Sequence, residues 1–362
     1  MRIPAVNLKP QLEQTEPRWR ALLEGLRARS QYILGPEGEA FEREFAAFTG
    51  ARAAVGCGNG TDAITLALRA AGVGAGDEVV TTALSAPFTA VGIAAAGARV
   101  RFADVDGGTL QMDPALVAAL VGRRTRAIVV VHLYGQPARV DEIAKLGPVV
   151  VQDAAQAHGA RHRGRPLTAW SPWVTYSFYP TKNLGALGDG GAVAVRSEAA
   201  ARRLRMMRDG GRRGGMVAVA SGVNSRLDEM QACYLRAFLE RLEEWNAARA
   251  RVAAFYDEAL RDCAGVRLVE RTPESVCHLY VVRVKRRAAL RAALAAQGIG
   301  TGVHYPVPLH LNPAFAACGQ KRGWLPEAER AAREVVSLPL WPHLGLAQAA
   351  EVAEAVRAFY RR

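Results

Sequence analysis

The sequence predicts an α/β fold: a doubly wound, mostly parallel sheet covered by helices on both faces, followed by a smaller α+β unit. Three observations predict it. Short apolar runs of strand length, such as Ala127 to Val131 and Val149 to Val151, alternate with helix-length segments. These runs are apolar throughout, as expected of strands buried on both faces. The chain has 362 residues, enough for two domains with a full hydrophobic core in the larger.

The elements follow in order. Residues 1–35 form a lead-in with a helix near Arg18 to Arg29, ended by the Gly35-Pro36 turn. Phe41, Phe45 and Phe48 stand at helical spacing before Gly50, which stops that helix; the stripe is core. Ala53 to Val55 is a short strand. GCGNGTDAITLAL then turns into a helix from near Ala63, with Thr61 and Asp62 as caps. Glu78 to Thr82 and Val100 to Ala103 are strands on either side of a helix from Pro87 to Ala96. Asp113-Pro114 opens a further helix, and Ala127 to Val131 leads into HLYGQPA. Ala192 to Val195 is the next strand. GGRRGG at 210–215 is either a basic loop for a substrate phosphate or an exposed turn. The helical stretch 223–260 carries the chain into the second unit. That unit holds a strand from Cys277 to Val284, a helix from Ala288 to Gln297 and a closing helix from Gln348. The expected division is a lead-in (1–35), a large domain (36–240) and a small domain (241–362).

Composition narrows the function. The net charge is +13, but the arginines are scattered and lack the interleaved aromatics of a nucleic-acid stacking platform. Their potential suits an anionic small molecule. The five cysteines are widely spaced with no CxxC pair, which argues against disulfides and zinc. His304 and His310 flank a proline-rich loop, not a metal-binding helix. No segment has signal-peptide or membrane-span character, so a cytoplasmic protein without a membrane or nucleic-acid partner is expected.

One lysine stands apart. Lys+Arg total 47, yet only five are lysines, and four of those lie in polar or basic surroundings. Lys182 lies in YSFYPTKNLGALGDGG. An amine that must lose its proton to form a Schiff base cannot be replaced by arginine, whose pKa is about 12 or above. A helix-end contact or a pairing with Asp189 is the plainer alternative. Asp153 follows the Val149 to Val151 run, at the sheet edge where such folds place ligands. The glycine-rich turn at Gly60-Thr61 opens a helix whose free N–H groups can hold phosphate, although ordinary capping gives the same pattern. Phe88 follows another strand end and can stack on a flat ring or pack in the core. Together an imine-forming amine, a ring-nitrogen partner, a phosphate site and a stacking aromatic suit pyridoxal 5′-phosphate.

GNGTDAITLAL, APFTA, VHLYGQPA, VQDAAQAHGA, SFYPTKNLGALGDGG, NSRLDEMQA and VHYPVPLH also resemble, in order and over nearly the whole chain, the DegT/DnrJ/EryC1/StrS sugar aminotransferases. The resemblance implies the aspartate-aminotransferase-like fold type I and a homodimer with active sites at the subunit interface. It implies transfer of an amino group from L-glutamate to a keto group of a nucleotide-linked sugar. Residue by residue, Lys182 would carry the cofactor and Asp153 would face its ring nitrogen. Gln156 would bond the ring's phenolic oxygen, and Phe88 would cover its face. Gly60, Thr61 and Ser177 would hold the phosphate, with Asn224 reaching that of the partner subunit. Tyr179, His304 and Tyr305 would lie on the sugar side. The wording is nearest to 3-aminotransferases of dTDP-3-keto-6-deoxyhexoses; 4-aminotransferases and cyclitol aminotransferases share most motifs. A PLP-dependent lyase or aldolase, or a non-catalytic regulator of the same fold, is the further alternative. The lysine disfavours the dehydratase branch, where a histidine replaces it.

Overall fold

The computed structural model describes residues 1–361. Helix α1 (Lys9–Arg29) begins well before Arg18. Pro17 lies inside it, and a proline normally breaks a helix by removing an N–H. Packing on a later helix, including Trp19 on Tyr234 at 5.0 Å between ring centroids, accompanies its continuation. In α2 (Pro36–Thr49), Phe41 and Phe45 are fully buried and meet Phe178 edge-on, so the phenylalanine stripe is core. Gly50 ends α2 at φ 66°, a left-handed value that favours glycine.

The chain then alternates: β1 (Ala53–Cys57), α3 (Gly60–Ala70), β2 (Glu78–Thr82), α4 (Pro87–Ala95), β3 (Arg99–Ala103), α5 (Pro114–Ala118), β4 (Thr125–Val131), α6 (Val140–Ile143) and β5 (Val149–Asp153). A small hairpin, β6 (Arg161–His162) and β7 (Arg165–Pro166), precedes β8 (Trp173–Ser177) and β9 (Gly191–Val195). The sheet has seven strands in the order β1-β9-β8-β5-β4-β2-β3. Strands β8, β5, β4, β2 and β3 are parallel; β9 is antiparallel to both its neighbours. Alternate residues serve opposite faces. Val79, Ala127 and Val129 pack with Leu66, Leu68 and Ile93, whereas Val80, Ile128 and Val130 pack with Val117, Val140 and Ile143. That two-sided burial explains the continuous apolar runs.

After α7 (Glu198–Arg208) come α8 (Glu229–Leu239) and α9 (Leu242–Leu260). The expected helix over 223–260 is thus two helices preceded by extended chain. Tertiary contacts override helix propensity there: Ser225 N donates to Arg208 O at 2.8 Å, and Asn224 pairs with Asp209. The last segment contains β10 (Val266–Leu268), β11 (Tyr280–Val284), α10 (Arg287–Ala296), α11 (Pro326–Glu334), β12 (Val335–Leu338) and α12 (Leu346–Arg361). Strands β10, β11 and β12 form an antiparallel sheet. Strand β11 starts at Tyr280 rather than Cys277, because Cys277 is left-handed at φ 46° and His278 N turns to Tyr134 O. Ile3 pairs with Ile299 and lies in this second core, so the first residues join the C-terminal sheet region.

A buried carboxylate fixes the entry to α2. Glu229 is fully buried and accepts from the N–H groups of Gly35 (3.0 Å), Glu37 (2.8 Å) and Gly38 (2.8 Å). It satisfies donors that the helix leaves unpaired and suits the positive end of the dipole. Glu229→Ala strands all of them, and the expected loss is about 3 kcal/mol by denaturant unfolding. Glu229→Gln keeps one acceptor and should lose less.

Candidate active site

Asp153 ends β5 at the carboxyl edge of the parallel strands and is only 5% exposed. Thr89 Oγ1 donates to its Oδ2 at 2.7 Å, and Ala155 N to its Oδ1 at 3.1 Å. Burial pushes its pKa up; the Thr89 and Ala155 donors and the Lys182 charge pull it back. Phe88 precedes Thr89 in α4, about 100° round the helix, and points outward at 63% exposure. It is not a core phenylalanine.

Lys182 lies in the loop joining β8 to β9. The loop is closed at its base by Phe178 N to Gly190 O (2.7 Å) and tied inside by Ala186 N to Phe178 O (2.7 Å) and Lys182 N to Tyr179 O (2.8 Å). The next residue, Asn183, is buried and anchors the loop. Its Nδ2 donates to Asn246 Oδ1 (2.8 Å) and Val276 O (2.9 Å), and its Oδ1 faces His278 Nδ1 at 3.0 Å. The amine of Lys182 is pushed down to about 8 by burial, against the attraction of Asp153. It makes no ion pair with Asp189. Nearby, burial and the Lys182 charge hold His158 down at about 3 and His304 at about 4, so both are neutral near pH 7. An amine facing neutral imidazoles and one carboxylate keeps the free-base form within reach at neutral pH.

The phosphate candidates also converge. Gly60 and Thr61 are the first residues of α3, so their N–H groups have no intrahelical acceptor. The cap is Asn59, whose side chain accepts from Asp62 N at 2.8 Å; Thr61 and Asp62 do not cap the helix. The extended backbone of Asn59 lets its carboxamide reach forward, and the helix begins at Gly60 rather than Ala63. A Cβ on Gly60 would lie 2.6 Å from Ser177 Cβ, so only glycine leaves this cradle open. Ser225 Oγ binds the other side, accepting from Gly58 N (2.9 Å) and donating to Asp62 (2.6 Å). Asn224, beside it, is exposed.

Across the pocket, Gln156 Oε1 accepts from Tyr134 N at 2.6 Å, and its Nε2 donates to Tyr305 OH at 2.9 Å. Burial raises the Tyr305 phenol to about 12, so it stays protonated. His304 Nδ1 meets Ser337 Oγ at 2.8 Å, and Tyr179 is 54% exposed at the rim. Hydrogen bonds thus join Gln156 and Tyr134 of the large-sheet side to Tyr305 and His304 of the C-terminal region. The loop at 210–215 lies elsewhere: Arg212, Arg213 and Gly214 line a groove of about 1430 Å³ between α2, the far end of α3 and α7, which contains none of these residues.

Sequence reasoning missed Thr89, Tyr134 and Asn183. Thr89 was within reach, as a hydroxyl one residue past Phe88 at a strand-to-helix turn. Tyr134 was signalled only by the Tyr-Gly pair before Gln136. Nothing in the order of residues reveals the contacts of Asn183, whose partners lie far along the chain.

The donor set fits pyridoxal 5′-phosphate: a cradle of free N–H groups for phosphate, a depressed amine for the aldehyde and a buried carboxylate for the ring nitrogen. The family model for DegT/DnrJ/EryC1/StrS aminotransferases matches residues 14–357. A dTDP-3-amino-3,4,6-trideoxy-alpha-D-glucose transaminase of Streptomyces venezuelae is 44% identical over 100% of this chain and 97% of its own length. A protein named pleiotropic regulatory protein, from Geobacillus stearothermophilus, is also 44% identical, over 100% of this chain and 99% of its own. The crystal structure of S. venezuelae DesV in complex with a ketimine intermediate superposes with a TM-score of 0.97, at 44% identity and 99% coverage of both chains. The chain belongs to the DegT/DnrJ/EryC1/StrS aminotransferase family, with fold type I and pyridoxal 5′-phosphate as its cofactor.

Proposed function

We propose that this protein transfers an amino group from L-glutamate to the C3 keto group of a dTDP-linked 3-keto-6-deoxyhexose, in the cytoplasm. One feature carries the reading: the Asp153 carboxylate, at the carboxyl edge of the sheet, lies near enough to the Lys182 amine for each charge to act on the other, and burial presses on both. The chain is also 44% identical, end to end, to a transaminase whose named product bears its amine at C3.

Pyridoxal phosphate, when bound, supplies an aldehyde to hold amines and a ring that accepts electrons from the carbon losing its proton. The rest is the work of the chain. The first-turn N–H groups of α3 and the Ser177 hydroxyl bind the phosphate. Asp153, oriented by Thr89, holds the proton on the ring nitrogen. Gln156 donates an N–H to the phenolic oxygen, and Phe88 covers the ring and excludes water. Lys182 Nζ carries the proton away from the donor's Cα. Tyr179, His304 and Tyr305 orient the sugar. The net charge of +13 favours capture of an anionic nucleotide sugar. Exposed Asn224 supports a homodimer in which it reaches the phosphate of the second copy; a monomer in sedimentation that keeps full cofactor affinity would remove that role.

The test is a coupled assay with 3-keto and 4-keto dTDP-sugars plus glutamate, with product masses. Turnover of the 3-keto sugar is expected. Turnover of only the 4-keto sugar, or of a cyclitol ketone, would refute the positional assignment. The regulator named among the relatives makes a non-catalytic role the second reading. Absence of turnover with every ketone, despite bound cofactor, would favour it.

A further inference from the structure

Tyr134 departs from what its turn requires. It sits at φ 61°, ψ 11°, a left-handed conformation in which a Cβ crowds the backbone and glycine fits best. Gly135 follows at φ 88°, packed so closely that a Cβ there would lie 2.9 Å from His278 N. A turn of this shape needs no tyrosine, so the side chain has a separate task. Tyr134 is only 4% exposed, and its hydroxyl donates to the carbonyl of His304.

Its main chain has a second task. An N–H only donates, so the atom of Gln156 facing Tyr134 N must be the amide oxygen. The NH₂ group of Gln156 is thereby turned the other way. One of its hydrogens goes to Tyr305 OH, and the other has no protein acceptor among the described residues. Tyr134 O in turn accepts from His278 N at 2.9 Å, which ties the turn to the segment before β11.

We propose that Tyr134 is a positioning residue that sets both halves of the site from one point. Its N–H fixes which face Gln156 presents to the cofactor's phenolic oxygen, and its hydroxyl holds the His304–Tyr305 segment on the substrate side. The inference rests on the assignment above for which side takes the sugar. Its two tasks separate by mutation, because one belongs to the backbone and the other to the side chain.

The experiment compares holoenzymes of the wild type, Tyr134→Phe and Gln156→Glu. Tyr134→Phe removes only the hydroxyl. Amide hydrogen exchange across 302–307 should quicken by about tenfold, and KM for the keto sugar should rise about tenfold with kcat within about threefold. The pH midpoint of the cofactor's visible absorbance should stay at the wild-type value. Gln156→Glu keeps an oxygen for Tyr134 N but has no N–H to give the phenolic oxygen, so that midpoint should move up by about one pH unit. Wild-type exchange across 302–307 in Tyr134→Phe would overturn the proposal. So would a Tyr134→Phe variant that shifts the absorbance midpoint and lowers the unfolding temperature together, since that pattern describes a packing residue. If wild-type enzyme does not turn over the sugar, only the substrate assignment fails; the exchange and absorbance measurements still decide this one.

Discussion

Lys182→Ala is expected to lose the visible absorbance of bound cofactor and to lower transamination by roughly 10⁴-fold or more. No second amine of the chain is poised to replace it: the other lysines, Lys9, Lys145, Lys285 and Lys321, are all exposed on its surface. Lys182→Arg should fail equally, since a guanidinium does not give up its proton at working pH. The depressed pKa adds a kinetic signature. Only the neutral amine attacks an aldehyde, so capture of added pyridoxal phosphate by apoenzyme should rise with pH and level off above a midpoint of about 8. An unperturbed lysine would still be rising near 10.5. Stopped-flow absorbance checks this, and an active Lys182→Ala enzyme would overturn the residue's assignment.

Asp153→Asn should lower kcat by about 10²–10⁴-fold while leaving the fold intact. The amide has the same shape: its oxygen can accept from Ala155 N, and its NH₂ can donate to Thr89 Oγ1, whose hydroxyl turns to act as acceptor. It lacks the charge that holds a proton on the ring nitrogen. Because burial already raises the carboxyl's pKa, replacing it with a neutral group removes a desolvation cost, so the apoenzyme's unfolding midpoint should not fall. An activity loss without a stability loss marks a group kept for chemistry. Thr89→Val should show a weaker form of the same defect, about tenfold, by loosening one oxygen of the carboxylate. Steady-state rates and thermal melts on the purified variants check all of these, and a kcat for Asp153→Asn within threefold of wild type would refute the reading.

The sheet was legible because burial on both faces leaves an unmistakable mark: Ile128 and Val129 face opposite ways, and both are apolar. Lys182 and Asp153 stand out in the sequence, one as a rare lysine and one as the carboxylate that ends a buried strand, and the structure buries the two close enough for their charges to interact. The short antiparallel strands β10 and β12 were not, since they have few residues and their partners come from distant chain. Residues 223–228 misled for a related reason. They read as helix locally, yet bonds to Arg208, Asp209 and the start of α3 hold them extended. The cap of α3 lies two and three residues before the expected Thr61 and Asp62, because Asn59, Thr61 and Asp62 are all competent caps and only the backbone angles choose among them.

Strand β9 runs against its neighbours, and this has a mechanical outcome. The chain leaves β8 and re-enters β9 along one border of the sheet, so residues 178–190 form a noose with both cords knotted at the same rim. A crossover to a parallel strand would have carried the chain to the opposite border. With the noose drawn tight at Phe178 and Gly190, the backbone under Lys182 has little slack. Any travel of its nitrogen between two atoms of a reacting molecule must come from the four methylenes of its own arm.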